Sequence, residues 1–177
     1  IQPPAIADVR EPNFRNIVIN GDMAVAQRAT STASITTENY YTVDRFNTFI
    51  TTLGTWTQSQ DTDVPTGSGF ATSLKMDCTS ADASPAAGDR LLFQQKIEGQ
   101  NVQYLKKGTS SAVPITLSFW VKSVLTGTYI AELYDNDNTR QVSKSYTISS
   151  ASTWEKKTIT FPADTTGALG NDTGDSL

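Results

Sequence analysis

The chain has 177 residues, enough for one domain with a sizeable core, although its hydrophobic fraction of 37% is low for a globular protein. Its 14 Lys and Arg against 18 Asp and Glu leave a net charge of -4, which argues against nucleic acid and anionic membranes, partners that need a basic stripe. Histidine is absent, so Ser-His-Asp and Cys-His chemistry and the usual zinc and non-haem iron sites are excluded for this chain.

In chain order, IQPPAIADVREP at 1–12 carries three prolines and reads as an extended linker or anchor, with a folded domain expected over 13–177. The turn-rich ending GALGNDTGDSL shows no closing strand, so both ends read as cuts in a longer polypeptide. NIVINGD at 16–22 contains Asn20-Gly21, a strong hairpin signal. Parity argues otherwise: Ile17, Ile19, Gly21, Met23 and Val25 are odd, whereas Asn16, Asn20, Asp22 and Arg28 are even. A two-residue turn would set Asp22 across from Ile19 on an apolar face. The expectation is one long or kinked strand over 16–28, with Gly21 a bulge or a point of close backbone approach.

Alternating runs separated by turn signals predict further strands over 41–50, 55–60, 71–78, 90–98, 114–123, 127–135, 140–148 and 154–162. Ser and Thr make up about a quarter of the residues, as strands with one solvated face require. The predicted class is all-β, a β-sandwich with at most one short helix. That helix falls in GQNVQYLKKG at 99–108, where Val102 and Leu105 are three apart. Leu91, Phe93 and Ile97 are predicted inward, with Arg90, Gln94, Lys96 and Leu92 outward. Ile159 and Phe161 continue the inward pattern near the end of the chain. Cys78 alternates with Lys75 and Asp77 beside Leu74 and Met76, which makes it a small core residue. As the only cysteine it forms no intrachain disulfide, which fits assembly in a reducing cytoplasm.

Few motifs carry chemistry. Neither a GxGxxG nor a Walker loop is present, and no cofactor is expected. Glu98, Glu132 and Glu155 could in principle supply a glycosidase carboxylate pair, but solvated or salt-bridged glutamates are the simpler reading. In YDNDNTR at 134–140 the alternation of Asp135, Asp137 and Thr139 imitates a calcium loop. Arg140 stands where an EF-hand needs Gly, and Tyr146 where it needs Glu, so a hairpin turn is expected. Trp120 is the most informative side chain. In ITLSFWVKS, Leu117, Phe119 and Val121 take the buried face, which leaves Trp120 opposite with Thr116, Ser118 and Lys122. A large indole there needs a stacked ligand, a neighbouring subunit or a covering loop. Sugar rings suit such a platform, with Lys122, Gln94 and Tyr134 as further candidates for the same face.

Five segments in order, NIVINGDMAVAQRATS, YTVDRF, FQQKIEGQNVQYLKKG running through ITLSFWVKS, GTYIAELYDND and TWEKKTITFPADTTG, resemble a family of phage tail-fibre and related virion proteins. These carry a jelly-roll domain like a carbohydrate-binding module, and the resemblance spans most of residues 13–177. It implies a jelly roll, incomplete here at its C-terminal end, in a non-enzymatic virion protein that recognises a host surface glycan. It also implies assembly in the bacterial host cytoplasm, contact with other virion proteins and a homotrimer, and it makes the stretch at 16–31 an entry strand, scaffold rather than site. No metal ligand is carried over. A capsid-decorating or head-fibre module serving assembly is the alternative, followed by a virion depolymerase or a carbohydrate-binding module of a polysaccharide-degrading enzyme.

Overall fold

The structure, a computed structural model, describes residues 16–177, so the linker or anchor expected over 1–12 lies outside it. The predicted all-β class holds. Strands β1 (Ser31–Ile35), β2 (Phe46–Thr51), β3 (Thr55–Asp61), β4 (Ser73–Ser80) and β5 (Arg90–Gln95) are followed by two 3-10 turns, Gly99–Asn101 and Gln103–Leu105. Strands β6 (Ile115–Val121), β7 (Gly127–Asp135), β8 (Arg140–Ile148) and β9 (Glu155–Phe161) complete the chain. All pairings are antiparallel: β1–β3–β4 form one sheet, and β2–β5, β6–β9 and β7–β8 form ribbons. The β7–β8 hairpin is nested inside the β6–β9 pair, the connectivity of a rolled hairpin. A third antiparallel contact encloses both, because the Ile97 amide donates to the Leu177 carbonyl at 2.8 Å and the Gly99 amide to the Gly174 carbonyl at 3.0 Å. Gly99 is obligatory there, since a Cβ would stand 2.1 Å from the Gly170 carbonyl oxygen.

The buried set follows the predicted alternation in part. Ile159, Phe161, Ile148, Ile35, Val43, Phe46 and Ile50 are buried, and Val102, Leu105 and Leu169 form a cluster beneath the 3-10 turns. Val102 and Leu105 thus do face inward at their three-residue spacing, on 3-10 turns rather than an α-helix. The core also admits polar groups. Thr48 and Gln58 are fully buried, and the Gln58 amide donates to Thr48 Oγ1 at 2.9 Å, fastening β3 to β2.

Four expectations are corrected. Residues 16–28 form no strand. The Met23 amide donates to the Asn20 carbonyl at 3.0 Å, so the chain turns through Gly21 and Asp22, and Gly21 is neither a bulge nor a close approach. The Asn20 side chain replaces the ladder: its oxygen accepts from the Val25 amide and its Nδ2 donates to the Val25 carbonyl, both at 2.9 Å, and to the Asp44 carbonyl at 3.0 Å. Ile19 faces no Asp22 across a hairpin; its backbone exchanges two 2.8 Å bonds with the Gln95 amide. Second, STASI forms β1, a strand that its weak alternation hid. Third, Cys78 is exposed, because β4 is an edge strand whose last four residues lie beyond cover. Fourth, Gln94 is half-buried and Phe93 is 38% exposed, the reverse of the exposure expected of their faces, although the register keeps Phe93 on the side of the buried Phe46 and Ile50. Gln94 Nε2 donates to the buried Asn47 at 3.1 Å, while Phe93 keeps company by stacking on Phe46 at 4.7 Å.

Candidate functional site

The β6–β9 ribbon presents two different faces because its register pairs like with like. Leu117 stands opposite Ile159 and Ile115 opposite Phe161 on the inner side. On the outer side Thr116 faces Thr160, Ser118 faces Thr158 and Trp120 faces Lys156. The two threonine hydroxyls are 3.0 Å apart. Exposure alternates along β6 as predicted, and Trp120 is 36% exposed among these hydroxyls.

One step beyond the strand ends, Lys122 lies against Trp154, its ammonium 5.6 Å from the indole centroid. Asp63, from the loop between β3 and β4, accepts from Trp154 Nε1 at 2.9 Å and from the Lys122 ammonium. Those two donors, Lys122 foremost, hold the Asp63 carboxyl below its ordinary range. The loop is pinned at its base, where the Ser73 hydroxyl donates to the Asp63 carbonyl at 2.7 Å. Trp154, half-buried and one step past the last paired residues, continues the register diagonally from Trp120. Lys122 is committed to Asp63. Lys156 is exposed and has no hydrogen bond or ion pair among the described residues.

The four sequence candidates divide accordingly. Trp120 lies on the outer face of β6, and Lys122 follows one residue past the strand end, against Trp154. Gln94 belongs to the β2–β5 ribbon with Asn47, and Tyr134, 43% exposed, to the outer side of β7 across from Gln141. Neither Gln94 nor Tyr134 bonds to or stacks on Trp120 among the described residues. Trp154 was missed, although TWEKKTITF carries its signal: the even residues Trp154, Lys156, Thr158 and Thr160 oppose the inward Ile159 and Phe161.

Other polar concentrations are internally satisfied. The Lys107 ammonium bonds to buried Asp135, to Asp164 at 3.2 Å and to the Gly167 carbonyl at 2.7 Å. Asp135 Oδ1 also accepts from the Asn138 amide at 3.0 Å, closing the expected turn at 136–139. Burial raises the Asp164 carboxyl, but bonds from the Thr166 amide and hydroxyl and from Lys107 outweigh it and bring it down to about 2. A groove of about 410 Å³ is lined by Arg28, Arg45 and Lys96, each paired in turn with Asp44, Glu98 and Asp175. Of the three glutamates weighed for catalysis, Glu98 is held by Arg45 at 2.9 Å, Glu155 by Lys157 at 2.5 Å and Glu132 by the Ser143 hydroxyl at 2.7 Å. Each sits in its own local bond. On the outer face of β6–β9 an exposed indole and an unpaired ammonium stand directly opposite each other, while Arg90, over the Phe49 ring at 4.9 Å, is a second cation beside aromatic surface.

Comparison of the chain with known protein families, curated proteins and solved structures finds no match in any of the three.

Proposed function

We propose that this chain is a non-enzymatic structural module of a phage virion, part of a tail fibre, that recognises a host surface glycan through the outer face of β6–β9. The observation that carries the binding reading is Trp120, 36% exposed on a regular strand among Thr116, Ser118, Thr158 and Thr160, with Trp154 diagonal to it. An indole face takes the C–H side of a pyranose, and hydroxyls flanking it exchange hydrogen bonds with the sugar rim. The virion setting rests on the resemblance of the five segments quoted above. A glycan array and binding to host cells test the reading. Trp120→Ala should weaken retention roughly tenfold, the loss of one stacking contact, with the thermal midpoint unchanged. Retention equal to that of the unaltered protein overturns it.

A second reading, assembly with other copies or virion proteins in a trimer or a capsid-decorating role, has its own support. Val124, Leu125, Ile130 and Tyr134 are 77%, 69%, 61% and 43% exposed in β7 and the segment before it. Apolar side chains left that open mark surfaces that a neighbour covers. Light scattering on the purified chain and on Ile130→Asp distinguishes the two: a trimer dissociated by Ile130→Asp that still binds sugar assigns assembly to β7 and recognition to β6–β9.

A further inference from the structure

We infer that the sugar taken by the outer face of β6–β9 is anionic, carrying a carboxylate that lies over the Lys156 ammonium. The inference rests on the glycan reading above and deepens it. Trp120 and Lys156 are directly opposed in the β6–β9 register, so a ring stacked on the indole brings its edge substituents over β9 at Lys156. The charge around that point is one-sided. Lys122 is neutralised by Asp63, and Lys157, on the inner side, by Glu155, whereas Lys156 is exposed with no acidic partner among the described residues. The two indoles, the four hydroxyls and the committed Lys122–Asp63 pair leave one net positive group on the face.

That local excess runs against the chain as a whole, whose net charge is -4. Screening over roughly 8 Å at physiological salt makes the nearest charge count most for a bound group. A carboxylate over Lys156 therefore meets an unpaired ammonium at short range, while a neutral sugar gains nothing from it. Hydroxyl donors at Ser118 and Thr158 stand on either strand at the next register step and complete the set of donors toward an anionic edge.

The test uses the whole chain, unaltered and as Lys156→Gln, Lys156→Arg and Trp120→Ala, on an array that pairs each uronic-acid oligosaccharide with its methyl ester. The ester keeps the ring and linkage and removes only the charge. The expected result is a preference for the free acid of roughly threefold to fivefold, the weight of one exposed ion pair, abolished in Lys156→Gln and kept in Lys156→Arg. Equal retention of acid and ester that is still lost in Trp120→Ala overturns the anionic inference and leaves the glycan reading standing. A preference that survives Lys156→Gln likewise overturns it. Retention of no member of the array by the unaltered chain overturns the anionic inference, and joined with no retention on the general glycan array or on host cells it overturns the glycan reading as well.

Discussion

Trp120 and Lys107 carry opposite kinds of weight at the scale of single residues, and exposure separates them. Trp120 projects from a strand whose stability comes from the other face, so its removal is predicted to move the urea midpoint little, whereas Phe161→Ala should cost about 3–5 kcal/mol. Lys107 and Asp135 are 12% and 5% exposed at their side chains. Lys107→Met leaves the Asp135 carboxylate buried without its cation and should cost about 3–5 kcal/mol in urea denaturation, with part of the loss recovered in the double variant with Asp135→Asn. A loss well under 1 kcal/mol would show that the pair is not the fastening described. Parity alone placed Trp120, because alternation on β6 depends only on local sequence. It failed for Cys78 and Phe93, whose faces are as expected but whose cover depends on edge position and on neighbours from other strands.

The elements themselves were largely legible, since eight of the nine strands among the described residues overlap predicted ones. What was not legible is which strand lies beside which. Trp154 and Lys156 became part of the surface only through the antiparallel pairing of β6 with β9, more than 30 residues apart in sequence, which no local period encodes. The entry segment failed for a different reason. Its odd-even pattern is real, but Asn20, at φ 58°, uses its own amide where a strand would use a neighbour's backbone. Asn20→Ala removes three hydrogen bonds and an αL-tolerant residue together, so a loss of about 2 kcal/mol is expected in urea denaturation. Amide exchange at Val25 should accelerate with it, and unchanged protection there would show that the turn stands without the side chain. Asn20→Asp keeps the acceptor for the Val25 amide but sets a carboxylate oxygen against the Val25 and Asp44 carbonyls, and should cost at least as much as Asn20→Ala.

For the whole molecule, the acid limb of stability follows from how its carboxylates are held. Asp164 is lowered from 3.8 to about 2, while Asp63, Glu98, Asp137 and Glu155 are lowered in direction by hydrogen-bonding partners. Groups depressed on folding bind fewer protons in the folded than in the unfolded chain, so stability rises with pH across the interval between the two values. The contribution of Asp164 is therefore full above about pH 4 and is lost as pH falls towards 2; with its side chain 30% exposed it amounts to about 1 kcal/mol after screening. As these carboxylates titrate, the 14 Lys and Arg stay charged, and their mutual repulsion adds to the loss. The thermal midpoint should thus stay nearly flat from pH 8 to about 5 and drop steeply below about 4. Asp164→Asn should lower the midpoint at neutral pH and flatten the part of the curve between about 4 and 2, because the group that titrates there is gone. An Asp164→Asn curve parallel to that of the unaltered chain through this interval would assign the acid limb to the other carboxylates.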